Sequence, residues 1–253
     1  ARHVPRALFL CLALIAAATA ARLASAAILT LPPDAGAPSG TSAAVPLAID
    51  VADGIIGATI EISYDATVAL ATGVTQTPLS SSHSLFANLD NPGQIRIALF
   101  GSMPLSGGGA LLMISFQSVG GTDSRTLLDL TRASLNEGQI PSSLQDGAWC
   151  VQAAPGEVAD LQAGVAPDGV TAVLSWSAAP FASAYDVYRG SRPDLADLAC
   201  FRSGVGAPPV SDPGIPPVDG LFVYLVASRN CRGSSGVGTD SAGVPRPLPA
   251  PCP

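Results

Sequence analysis

The chain has 253 residues, room for one large or two ordinary domains, and 26 Gly with 23 Pro leave little scope for long helices. A hydrophobic fraction of 48% argues against wholesale disorder, yet much of it is Ala, so thin cores are expected. Every basic side chain but two His is Arg and the net charge is −7, which opposes phosphate backbones and excludes a nucleic-acid role.

Residues 1–26 read as a secretory signal peptide: Arg2, His3 and Arg6 precede the apolar run Ala7 to Ala21, and Ala24-Ser25-Ala26 is a small-x-small cleavage site. As a helix the run spans roughly 22 Å, short of a ~30 Å hydrocarbon core. Membrane contact is expected only through this segment if it stays uncleaved. Its removal takes away three Arg and brings the charge to −10. The predicted location is secreted, extracellular or at the cell surface, an oxidising space. There Cys150, Cys200, Cys231 and Cys252 allow three disulfide connectivities.

Strands are then predicted in chain order. Val45 to Val51 comes first. Ile56 to Tyr64 follows, alternating Ala58, Ile60, Ile62 and Tyr64 against Gly57, Thr59, Glu61 and Ser63, the period of a half-buried strand. Thr67 to Val74 and Ser84 to Leu89 are next. The turn Asn91-Pro92-Gly93 leads into Gln94 to Phe100, and a Gly-rich break into Ala110 to Val119. Thr126 to Leu130 and Ala148 to Gln152 complete a set whose spacing predicts an antiparallel sandwich or jelly roll over 27–152. Ala153-Ala154-Pro155-Gly156 reads as a hinge within a linker over 153–157. A second β pattern occupies 158–244: Val158 to Val165, Val170 to Trp176, Ala184 to Tyr188, Leu221 to Ser228 and Gly236 to Ala242. The stretch from Ser191 to Gly220 is rich in Pro and Gly, and no strand is assigned to it. The Pro-rich tail 245–253 is expected to be extended and exposed. The fold class is all-β, two sandwiches in series.

Catalytic and metal chemistry find little support. His83 is the only His beyond the first segment and reads as an ordinary surface or strand residue. No G-x-S-x-G elbow, C-x-x-C pair or D-x-D-x-D-G loop occurs. Glu61, Glu137 and Glu157 are too scattered to suggest the paired carboxylates of a glycosidase. No enzyme, cofactor or metal is expected.

The ordered pieces VPLAID, GIIGATIEISYD, Asn91 to Ile97 and Gly109 to Phe116 resemble the cohesin domain of bacterial polysaccharide-degrading assemblies, over most of 27–152. The resemblance implies a nine-stranded jelly roll, a fold shared with one class of carbohydrate-binding module, and a sheet face that binds a dockerin. Positions where cohesins often carry Asn and Asp hold Gly57 and Thr59, and Ser102 stands at about the place of a common Glu. Leu99 fits an apolar contact position. The row Thr59, Glu61, Ser63, with Leu99 and Ser102, is either a partner-binding face or a plain solvated one. The expected partner is a protein, a dockerin-like module in the first instance, or a polysaccharide if the fold serves sugar binding.

Over about 156–246, Leu174-Ser175-Trp176, Ala184 to Gly190 and Tyr224 to Asn230 resemble a fibronectin type III domain. That resemblance implies a buried Trp176 and a Tyr224 whose hydroxyl bonds nearby backbone; Tyr188, on the strand that matches next, and Tyr64, on the apolar row of its own strand, are expected in the cores. The same resemblance brings Cys200 and Cys231 to one pole and so implies their pairing, which leaves Cys150 with Cys252.

Overall fold

Alternating branched residues build the first half of the chain. A computed structural model describes residues 26–247 and Cys252; the segment expected to be a signal peptide, but for Ala26, and most of the tail lie outside the described residues. Strands β1 (Ala27–Thr30), β3 (Ser42–Ile49), β5 (Ala69–Gln76), β8 (Gly109–Ser118) and β10 (Ser142–Gln145) form a five-stranded sheet in the order β10-β1-β3-β8-β5. Strands β2 (Ala35–Gly36), β4 (Gly57–Ser63), β6 (Ser84–Asn88), β7 (Gln94–Phe100), β9 (Arg125–Leu135) and β11 (Gly147–Cys150) form a six-stranded one, ordered β2-β11-β9-β4-β7-β6. Most pairs are antiparallel; β1 with β10 and β2 with β11 are parallel. The inward row of β4, Ala58, Ile60 and Ile62, meets Leu47, Ile114 and Phe116 of the facing sheet in one apolar cluster. Trp149 is fully buried there, its ring 5.5 Å from that of Phe116. Its Nε1 donates to Ser118 Oγ at 3.1 Å, and Ser118 Oγ donates to the Ala37 carbonyl at 2.7 Å. A large aromatic is thereby buried with its polar atom satisfied. Tyr64 is only partly buried and meets Phe116 edge-on at 5.3 Å; its hydroxyl accepts the Ala71 N–H.

The second half is a smaller sandwich. Three strands, β12 (Gln162–Val165), β13 (Ala172–Ser175) and β16 (Val210–Asp212), face four, β14 (Ala184–Gly190), β15 (Ala199–Val205), β17 (Val223–Asn230) and β18 (Gly233–Ser234), ordered β15-β14-β17-β18. Strands β15 and β16 lie inside the Pro- and Gly-rich stretch where no strand was expected: its Pro residues flank the strands, and Gly204 is accommodated within β15. Gly236 to Ala242, expected as a strand, forms only the isolated bridge Thr239–Pro245. Leu174, Trp176, Tyr185, Val187, Val210 and Val226 fill the space between the sheets. Trp176 meets Tyr185 edge-on at 5.3 Å.

Tyr224 departs from expectation. Its hydroxyl donates to Asp212 Oδ2 at 2.7 Å and not to backbone, while it is Tyr185 whose hydroxyl holds a main-chain group, the Ala179 N–H, at 2.9 Å. Tyr188 points out of the opposite side of the sheet from Tyr185, where Ala227, Val237 and Cys252 bury it.

Both expected disulfide pairs are corrected. Cys150 bonds Cys231 and Cys200 bonds Cys252, with Cα–Cα distances of 5.7 and 5.2 Å. The reason is position. Cys200 lies opposite Tyr188 on edge strand β15, on the outer face of its sheet, whereas Cys231 sits in the β17–β18 turn at the pole facing the first sandwich, where β11 ends in Cys150. The end of the tail is therefore not free: Cys252 is 7% exposed, folded back over Tyr188.

The expected hinge is bonded too. Gly156 N–H donates to the Pro180 carbonyl at 2.8 Å, Ser228 Oγ donates to the Gly156 carbonyl at 2.5 Å, and Asn230 Nδ2 donates to the carbonyls of Ala153 and Phe181, both at 2.8 Å.

Candidate functional site

The outward side of the six-stranded sheet is built by the residues that alternate with its core. Thr59, Glu61 and Ser63 do share it: Thr59 is exposed, the other two half-buried. Glu61 sits 3.7 Å from Arg132 across the sheet, and Ser63 Oγ donates to Asp129 Oδ2 at 3.3 Å. An exposed ion pair of this kind contributes at most ~1 kcal/mol and leaves its charges accessible. Leu99 does not belong to this face. It pairs with Ala58, points inward and is 1% exposed. With a period of two, a slip of one residue moves a side chain through the sheet, and the outward neighbours of Leu99 are Ala98 and Phe100. Ser102 lies exposed in the loop just beyond Phe100.

Two residues that the sequence reading passed over dominate the face. Phe86 on β6 and Phe100 on β7 are 63% and 50% exposed, and their rings stack 5.6 Å apart and 6° from parallel. A signal for Phe100 exists: Ile95, Ile97 and Leu99 alternate inward, so Phe100 is a large apolar residue out of phase with its own strand.

Beside this pair runs an open trough of ≈ 730 Å³. Gly57, Thr59 and Ala98 line its floor, and Phe100 and Glu137 stand among its walls. Gly57 lies opposite Phe100 and keeps the floor low; a Cβ there would meet only the Leu99 carbonyl oxygen, at 3.7 Å. The far wall is the turn Asn136–Gly138, where three successive residues take left-handed φ values of 46°, 57° and 89°. That conformation is costly for residues with a Cβ. The Asn136 side chain offsets it: Oδ1 accepts the Ile56 and Gly57 N–H groups at 2.9 and 3.1 Å, and Nδ2 donates to the Gly54 carbonyl at 2.9 Å. The turn thus sets the Glu137 carboxylate on the rim. His83, expected as a surface or strand residue, is buried in the turn before β6, where its ring occupies the space a side chain at Gly101 would need.

The trough lies at one end of the first sandwich. Gly57, Phe100 and Leu135 mark that end of their strands; Ser63, Gln94 and Arg125 mark the other, where Cys150 leads to the second sandwich. The trough therefore lies at the end of the first sandwich remote from the junction.

The buried ionised groups elsewhere are held by structure. In the second sandwich Arg189 lies between the rings of Phe201 and Phe222, 4.8 and 4.5 Å from their centroids, and reaches Asp212 Oδ2 at 2.7 Å. Burial pushes the Asp212 carboxyl up, but hydrogen bonds from Arg189, Tyr224 and the Gly214 N–H outweigh it and hold the group below the usual carboxylate range. Burial and that carboxylate together push the Tyr224 hydroxyl well above its ordinary value. Asp186 is buried as well, held by the Gly204 N–H and by Arg229 at 3.5 Å. Among the described residues no group of three or more His, Cys, Asp or Glu is placed to hold a metal ion.

No known family model and no curated protein matches the sequence. Among solved structures, the chain is similar to a non-cellulosomal cohesin from the archaeon Archaeoglobus fulgidus, at 20% identity over 50% of this chain and 91% of that one, with a TM-score of 0.44. It is likewise similar to the sixth cohesin of scaffoldin B from Acetivibrio cellulolyticus, crystallised with a dockerin, at 14% identity over 51% of this chain and all of that one, TM-score 0.44. A cohesin module from a Clostridium perfringens family 33 glycoside hydrolase aligns at 16% identity over 49% and 93%, TM-score 0.40.

Proposed function

We propose that this chain is a secreted, non-catalytic binding protein whose first sandwich docks a partner protein through the Phe86–Phe100 pair and the adjoining trough. One observation carries the reading: two large apolar side chains, stacked and exposed, on a sheet face whose neighbouring polar groups pair with one another. Aromatic side chains in such a setting are the usual anchors of protein interfaces. The trough offers a floor of small side chains with the Phe100 ring and the Glu137 carboxylate on its walls, a shape for a partner helix or loop that brings an apolar residue and a polar or cationic neighbour. Together with the sequence resemblance this favours a cohesin-like role with a dockerin-bearing partner, and a place in extracellular polysaccharide breakdown. The second sandwich is read, on its sequence resemblance, as a fibronectin type III-like spacer. Two disulfides fit an oxidising location.

The test is capture from culture supernatant by the full chain, with and without calcium, alongside Phe86→Ala, Phe100→Ala and Gly57→Val. Recovery of a dockerin-bearing protein by the parent chain, weakened at least ~10-fold by each aromatic change, is the expected result. Retention by insoluble polysaccharide alone would move the assignment to sugar binding, and hydrolysis of a glycan by the purified chain would overturn it.

A further inference from the structure

Among the described residues, the side-chain hydrogen bonds that join the two sandwiches outside the linker flank one covalent bond. Cys150, the last residue of β11, is bridged to Cys231 in the β17–β18 turn, 81 residues away. On one side of the bridge Ser183 Oγ donates to Asp123 Oδ2 at 2.5 Å; on another, Arg232 Nε donates to the Asp34 carbonyl at 2.9 Å. The approach is close: a Cβ on Gly36 would collide with the Cys150 carbonyl and lie 3.2 Å from Arg232 Cδ. The chain crosses the same junction once more, at 151–156, where Gly156 is fastened to the second sandwich.

Each hydrogen bond here is exposed to water and weak by itself. Domains joined by a short linker and a small polar interface ordinarily move relative to one another. A covalent bridge changes this. It makes every flanking contact intramolecular over a very short tether, at high effective concentration. With the linker, the bridge and two lateral hydrogen bonds attached at different points, neither bending nor twisting is left free. We infer that the Cys150–Cys231 disulfide locks the two sandwiches into one rigid body, whose outer end carries the trough. In an oxidising space the chain is a stiff arm; once the bond is reduced, Ala153 to Gly156 becomes the hinge its composition suggests. This inference does not depend on what the trough binds.

Backbone 15N relaxation of the full oxidised chain tests it. Both sandwiches are expected to share one rotational correlation time. The Cys150→Ser/Cys231→Ser double variant is expected to show two, each shorter than the shared value, with amide shifts in both sandwiches unchanged away from the junction. Cys200→Ser/Cys252→Ser serves as the control and should keep a single value. Should the first double variant lose the fold of either sandwich, the same measurement on parent chain with Cys150–Cys231 selectively reduced and alkylated replaces it. Independent tumbling of the oxidised parent, or one shared correlation time after the bond is removed, overturns the inference.

Discussion

The two sandwiches solve the same problem with different materials. Among the described residues the first buries twenty-eight apolar side chains in one cluster, and its two halves need no internal disulfide. The second buries seven between its sheets. It adds a disulfide that fastens the end of the chain across an outer face, and two buried carboxylates each paired with an Arg. A small domain buries a smaller share of its surface and gains less from apolar transfer. Covalent and ionic ties make up the difference, and they make the second sandwich sensitive to conditions that leave the first untouched.

The sharpest way to break this contrast is to remove one Trp from each core. Trp149→Ala is expected to cost about 3–5 kcal/mol, yet leave a cooperatively folded first sandwich. Trp176→Ala, of similar nominal size, is expected to consume the whole margin of the smaller one. Denaturant titrations followed by backbone amide resonances of each sandwich separate the two, since each variant removes the Trp of the sandwich it weakens. Next in size is Cys200→Ser/Cys252→Ser. It should destabilise the second sandwich by roughly 2–4 kcal/mol and uncover Tyr188, leaving the Trp149 transition in place.

Asp212→Ala comes third, at roughly 2–3 kcal/mol, below the ~3–5 of a fully buried pair because Arg189 keeps part of its side chain in water. Acid should reproduce the effect in the unmodified protein. The folded carboxyl of Asp212 lies below its ordinary value, so its contribution is complete above about pH 4 and is lost as pH falls through the lower folded value. Asp160 and Asp168 shift the same way, through hydrogen bonds from Ser177 and from Thr171 respectively; in the first sandwich Asp65 does so, through Thr67. A Trp176 transition that weakens before the Trp149 transition between pH 5 and 2 is the expected outcome; coincident loss would deny the contrast. Smallest in stability are the face variants. Gly57→Val fills the trough without backbone strain and should change stability by less than ~0.5 kcal/mol while abolishing docking, as read by thermal melts and by capture.

Residue by residue, the legible part of this protein is local. GATIEIS and QIRIALF announce their inward and outward rows through alternation alone, and the outward position of Phe100 follows from the inward Ile95, Ile97 and Leu99. Strands β15 and β16 were hidden because short edge strands carry Gly, Arg and Ser, whose preferences are weak and are overridden by pairing with β14 and β13. Asn136 gave no signal either, since its importance lies in three main-chain partners some eighty residues earlier.

The amino-acid sequence by itself determined an all-β chain, the faces of its well-patterned strands and a supply of four cysteines for two bonds. Only the tertiary structure decided which cysteines meet, that the tail returns to cover Tyr188, that the linker is fastened, and that Phe86 comes to stack on Phe100. The physical reason is range. Alternation is imposed by the backbone over two residues, whereas closure of an 81-residue loop or the covering of a sheet face depends on where whole sheets come to rest.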